Sequence, residues 1–267
     1  MLFTEMLPAH ITVADLIHKE PDHALAALET AAHTTHATLA SAQLGDAAHG
    51  VLTSQTISAL IALRSPQSWD RYLTRSARLP DSEHCSVVNA VTNGVHQILP
   101  SLRSLAPAPP VHYGHLQPDH ILVPPGPDQS PVLFSPRLQR GSAGVDLARL
   151  ISQTVLSLIT TPGTPAVDQA LTTLDTLLST RVSNLWADQQ AWVRTVLHLW
   201  LTDSLITLVN TVTAPPRLPL PALAQGILQH HHRIRALLNW LRTLTTVNNP
   251  RTAWTAMTSV VAELTRA

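Results

Sequence analysis

The sequence predicts a mainly α-helical protein with one small β-hairpin near its middle. Three observations predict it. Apolar residues recur at helical spacing through long runs, the first stripe being Leu25, Leu28, Ala32, Thr35 and Leu39. Two short β-type apolar runs, 121–123 and 132–134, flank a Pro- and Gly-rich loop at 124–131, which is a hairpin signal. Between the helical runs stand Pro, Gly and Asn loops, with no internal repeat.

Taken in order, residues 2–6 read as a short strand closed by Leu7-Pro8. The pattern turns helical from Val13, and Asp22 is placed to N-cap a helix over 23–43. Gly45 and Gly50 mark a loop, and helices follow at 55–63 and 82–99. Four prolines in 100–110 predict extended backbone there, since proline removes a helix hydrogen bond and clashes with the preceding turn. After the hairpin, Gly141 to Gly144 form a turn and Asp146 is placed to cap a helix over 147–159. Helices are then expected at 165–179, 186–212, 219–245 and 250–265, all within one domain spanning 1–267. The apolar stretch 192–212 is interrupted by Arg194, His198, Asp203 and Asn210. A membrane span needs about 20 nearly uncharged residues, so this stretch reads as a buried core helix.

Composition narrows the function classes. Apolar residues make up 45% and charged residues 13%, enough for a sizeable core and too apolar for a disordered chain. Lys plus Arg equals Asp plus Glu at 17 each, so no global field gathers phosphate backbones and nucleic acid is not expected as a partner. Cys85 stands alone, which excludes an internal disulfide. The first residues carry no basic segment followed by an unbroken apolar run, so no signal peptide is expected. A cytoplasmic protein with no membrane partner is the expectation.

The informative stretch is Tyr113-Gly114-His115-Leu116-Gln117-Pro118-Asp119-His120-Ile121-Leu122-Val123. It is similar to the catalytic loop of the aminoglycoside phosphotransferase and choline kinase family, which reads His-Gly-Asp-Leu-His-Pro-x-Asn-Ile-Leu-Val. Val132-Leu133-Phe134-Ser135-Pro136-Arg137 lies where that family has an apolar pair, an Ile, the metal-binding Asp and often a Pro. Gly141 and Asp146-Leu147-Ala148 match its following Gly and helix start. The resemblance covers about 111–150 and implies a protein-kinase-like fold, of which this chain would form the C-terminal lobe.

The departures fall on the chemistry. Phosphoryl transfer needs a carboxylate to orient the attacking hydroxyl, an Asn and an Asp to hold Mg²⁺, and a lysine on the phosphates. The base position here is His115, the Asn position His120 and the metal Asp position Ser135. A histidine can act as a general base near pH 7. Histidine and serine are poor replacements at a Mg²⁺ site, because that hard cation prefers oxygen ligands and carboxylate above all. Asp119 precedes the Asn position by one residue, an offset expected to turn it away from the metal site. The family's β-rich N-terminal lobe would end where residues 1–8 resemble a hinge strand. Lys19, the sole lysine, follows that strand, and no Gly-rich phosphate loop occurs.

Other constellations carry less. His230, His231 and His232 would point about 100° apart on one helix and cannot chelate a single ion. His33 and His36 share a face but lack a third ligand. Ser142 with Asp146 lacks a nucleophile elbow. Trp186, Trp192, Trp200, Trp240 and Trp254 read as core or interface residues, and Arg137 and Arg140 as surface cations beside the Asp146 helix.

The expected function is therefore that of a catalytically inactive pseudokinase acting as an interaction or scaffold subunit. No cofactor is expected. Its relatives' substrates suggest a setting in natural-product or peptide modification. A protein partner or a second copy is expected on the face left open by the missing lobe, including Leu2, Phe3 and Met6. The alternatives are an active phosphotransferase using ATP and magnesium, with relocated ligands or an N-terminal lobe supplied in trans, and a small-molecule binder that kept only the acceptor pocket.

Overall fold

The computed structural model describes residues 10–40, 78–79, 81–104, 111–113, 116–125, 129–134, 139–140, 144–161, 166–179 and 186–266. The strand over 2–6, the helix over 55–63, and Leu2, Phe3, Gly114, His115, Ser135 and Gly141 lie outside them.

Among the described residues helix dominates. The helices are α1 (Val13–Leu16), α2 (Pro21–Ala40), α3 (Asp81–Ser104), α4 (Gly144–Thr160), α5 (Val167–Ser179), α6 (Trp186–Val212), α7 (Ala222–Gln229), α8 (His231–Leu244) and α9 (Pro250–Arg266). The strands are β1 (Ile11–Thr12), β2 (Val111–His112), β3 (Ile121–Val123), β4 (Val132–Leu133) and β5 (Gln139–Arg140), with a 3₁₀ turn at Pro118–His120.

α6 is the axis of the molecule. Its apolar residues lie all round the helix, as a helix surrounded by others requires, and Val193, Val196, Leu197, Trp200, Leu201, Leu205 and Leu208 are buried. α4 packs along it most extensively, with α3, α9, α8 and α7 completing the ring. The charged interruption at Asp203 is resolved by α4. Arg149 Nε meets Asp203 Oδ1 at 2.9 Å, and Gln153 Nε2 donates to Asp203 Oδ2 at 2.8 Å and to Thr207 Oγ1 at 3.0 Å. No helix among the described residues is long and apolar enough to cross a membrane.

The expected hairpin is present: β3 pairs antiparallel with β4 in the register Ile121↔Leu133 and Leu122↔Val132. The ladder continues one step further, where Phe134 N–H donates to His120 O at 2.9 Å. A strand the sequence did not announce, β1, pairs antiparallel on the other side of β3, Ile11 opposite Val123 and Thr12 opposite Leu122. Thr12 then caps α1: its Oγ1 accepts Asp15 N–H at 3.1 Å and donates to Asp15 Oδ2 at 2.9 Å.

Four expectations are corrected. α2 starts at Pro21, whose fixed φ and missing N–H suit the first helical position, so Asp22 falls inside the first turn instead of capping it. α3 runs through Pro100 to Ser104, because one lost hydrogen bond in the last turns is tolerable in a helix 24 residues long. Asp146 is not a cap: α4 begins at Gly144 and the Asp146 carboxylate reaches away to another segment. The expected helix over 219–245 is two helices broken at His230. α7 packs on α4 while α8 packs on α9, α3 and α6, and one straight rod cannot follow both directions.

Candidate functional site

Within the stretch that carries the family resemblance, the described residues link α4 to the small sheet. Tyr113 and Asp146, 33 residues apart, meet: Tyr113 N–H donates to Asp146 Oδ2 at 2.5 Å, with both residues buried. The Tyr113 hydroxyl donates to Phe134 O at 2.8 Å, tying the same residue to the far arm of the hairpin. Burial and the Asp146 carboxylate push the phenol up to about 12, so it stays protonated as this bond needs. Leu116, Pro118 and Ile121 are buried beneath the loop and anchor it.

His120 and Asp119 have different neighbours. The side-chain amide of Gln117 stands 3.0 Å from His120 Nε2, and an amide NH₂ can only donate, so this ring nitrogen accepts. The ring also meets Phe134 edge-on at 6.5 Å between centroids. His120 thus has its Nε2 lone pair engaged by Gln117. Among the described residues no group of three or more His, Cys, Asp or Glu side chains gathers to hold a metal. A soft ring nitrogen already accepting a hydrogen bond does not fit Mg²⁺.

Asp119 instead lines a cleft walled by α1, the 3₁₀ turn, α4 and α7, with a volume of about 300 Å³. Asp15 stands in the same cleft. Partial burial, and then the Asp15 carboxylate, push the Asp119 carboxyl above the usual carboxylate range, while His120 opposes the rise. His18, also on the wall, has a ring nitrogen 3.0 Å from Ser157 Oγ. Burial lowers its pKa against the pull of Asp15, so the ring is neutral at pH 7.

Asp15 and His18 were not singled out from sequence. The available signal was Thr12-x-x-Asp15, the spacing of a helix cap, which places a carboxylate at the start of α1. Of the residues named in advance, the structure joins Tyr113 to Asp146 and places Asp119 and His120 at the 3₁₀ turn. His115, Ser135, Gly114 and Gly141 lie outside the described residues.

His230 stands between α7 and α8, and His231 and His232 open α8, so the three histidines do not share one helix. His231 pairs with the Glu83 carboxylate across the α3–α8 seam, and its Nδ1 donates to Leu228 O at 3.0 Å. His230 and His232 contact each other at 6.3 Å between ring centroids. His33 pairs with Glu29 on the exposed side of α2 at 3.7 Å. Trp200 and Trp254 meet edge-on at 5.7 Å within the core, whereas Trp240 lies at the surface of α8 with 48% exposure.

No protein-family model matches this chain, and no curated protein matches it either.

Proposed function

We propose that this chain is a degenerate member of the aminoglycoside phosphotransferase-like kinases that no longer transfers phosphate and works by binding another protein. The observation that carries the reading is His120. It occupies the position of the family's metal-holding asparagine, and its Nε2 is taken by Gln117 while its ring packs on Phe134. Two further features support the resemblance itself. The expected hairpin is present, and Tyr113 and Asp146, at positions aligned with the family from sequence, are hydrogen-bonded. An interaction role is supported by β4, an edge strand of its sheet among the described residues, where Val132 and the following Phe134 are 41% and 49% exposed. A setting in natural-product or peptide modification follows from the resemblance alone.

Nucleotide binding tests the reading. A ligand at a hundred times its dissociation constant stabilises a protein by about 2.7 kcal/mol, which a melting curve resolves. We expect millimolar ATP with Mg²⁺ to leave the melting temperature unchanged. A Mg²⁺-dependent rise would show that the site still holds nucleotide and would overturn the proposal.

A further inference from the structure

We propose that the cleft between α1, the Pro118–His120 turn, α4 and α7 hydrolyses small neutral carboxylic esters, with Ser157 as the nucleophile and His18 as its general base. The inference does not rest on the kinase resemblance, and it adds an activity to the binding role proposed above.

The pairing of Ser157 with His18 carries it. Ser157 sits on α4 and His18 just past α1, 139 residues apart, with Ser157 Oγ 3.0 Å from His18 Nε2. Both line the cleft of about 300 Å³. A helical serine or threonine can return its hydroxyl proton to a carbonyl one turn back. Thr160 does so to Leu156 O and Thr202 to His198 O, each at 2.8 Å. Ser157 does not: among the described residues its hydroxyl meets only His18. A hydroxyl hydrogen needs an acceptor, so Oγ donates and Nε2 accepts, which is the arrangement of a nucleophile with its base. Burial keeps the His18 ring neutral at pH 7, with its lone pair ready for the proton. Asp15, three residues earlier, pulls the ring the other way and stabilises the imidazolium once the proton has moved.

The other walls fit an ester. α7 begins at Ala222 on the cleft wall, and Pro221 before it gives no side-chain cap, so the N–H groups of its first turn border the cleft. Such a helix end amounts to about half a positive charge, suited to the oxyanion of a tetrahedral intermediate. Asp15 and Asp119 on the same wall repel an anionic substrate, and the small volume admits only a short acyl chain. In the first step Ser157 Oγ bonds to the carbonyl carbon while its proton passes to His18 Nε2. The ester C–O bond then breaks, His18 gives the proton to the leaving alcohol, and the acyl group stays on Ser157. Water, deprotonated by His18, attacks the acyl group, which leaves as a carboxylic acid and restores the serine.

The test uses the purified full chain with p-nitrophenyl acetate as substrate and diisopropyl fluorophosphate as a serine-directed trap. Release of p-nitrophenol should be saturable, and peptide mass spectrometry should find the diisopropylphosphoryl adduct on Ser157. Ser157→Ala should abolish both. His18→Gln should slow turnover by about a hundredfold or more, the loss expected for a general base. kcat/KM should rise with pH and level off by about pH 7, because the base titrates below its ordinary 6.5. Asp15 and Asp119 are the other ionisable groups on the cleft wall. Asp15→Asn should move the midpoint of that profile lower still, since Asp15 is the charge that raises His18. The adduct is read on the parent chain, so a variant that fails to fold leaves the test intact. An adduct on other residues only, turnover that survives Ser157→Ala, or no saturable hydrolysis would overturn the assignment.

Discussion

Asp146→Ala is the perturbation that most directly tests how the Tyr113 segment is held. The carboxylate is 4% exposed and accepts the buried Tyr113 N–H at 2.5 Å. Truncation removes a hydrogen bond to a charged acceptor and leaves a backbone donor in the interior without a partner, which costs about 1–3 kcal/mol. It also removes a negative charge from the first turn of α4, worth about 0.3–1 kcal/mol. The sum is about 1.3–4 kcal/mol. For a chain of this size each kcal/mol moves the midpoint by about 2–4 °C, so thermal unfolding followed at 222 nm should come about 3–16 °C earlier. Asp146→Asn keeps an acceptor of the same shape and should cost only about 1 kcal/mol. Hydrogen exchange at Tyr113 should accelerate in the alanine variant before global unfolding does. If the alanine and asparagine variants melt together, or the alanine variant melts within a degree of the parent, the carboxylate does not anchor the loop and the reasoning fails.

Two further outcomes are expected. Arg149→Leu should destabilise by about 2–4 kcal/mol in urea, less than the about 3–5 typical of a fully buried pair because Arg149 and Asp203 keep 19% and 11% exposure. Arg149→Leu with Asp203→Leu should cost less than the single change, and additive costs would refute the pairing argument. His198 is buried with Nδ1 donating to Arg194 O at 2.8 Å, and burial lowers its pKa below 6.5 despite that bond. The unfolded chain therefore gains a proton first on acidification, and stability falls as pH drops from about 6.5 through the folded pKa, by at most about 1.4 kcal/mol per pH unit for one proton. His198→Gln keeps a donor for Arg194 O and should flatten that slope between pH 7 and 5 in denaturant midpoints; an unchanged slope would show that His198 does not titrate with unfolding.

The helices were readable because their apolar spacing is local: the expectation of 186–212 coincides with α6, and 165–179 spans all of α5. The hairpin was readable for the same reason, since its two apolar runs and the loop between them are contiguous. What escaped was decided by distant partners. Asp146 looks like a cap from its neighbours, but its bond goes to Tyr113. The break at His230 has no glycine or proline beside it and arises from two packing directions. β1 is two residues long and exists because β3 offers it an edge. The acidic cleft was invisible for a related reason: Asp15 and Asp119 are far apart in sequence and meet through the pairing of β1 with β3 and the packing of α1 on the 3₁₀ turn.

Gly226 and Thr160 set the gauge of that cleft. A methyl group on Gly226 would lie 2.7 Å from Thr160 Cβ, an approach that only the absence of a side chain permits. Because the obstacle is a Cβ fixed to a helix backbone, no rotamer can make room, and α4 and α7 touch as two rods with nothing between them. Both residues also line the cleft. Its floor is therefore set by backbone contact, while the opposite wall is α1, a single turn hung from a two-residue strand. The width of the cleft is therefore fixed where α4 meets α7 and set on its other side by the short helix that faces them.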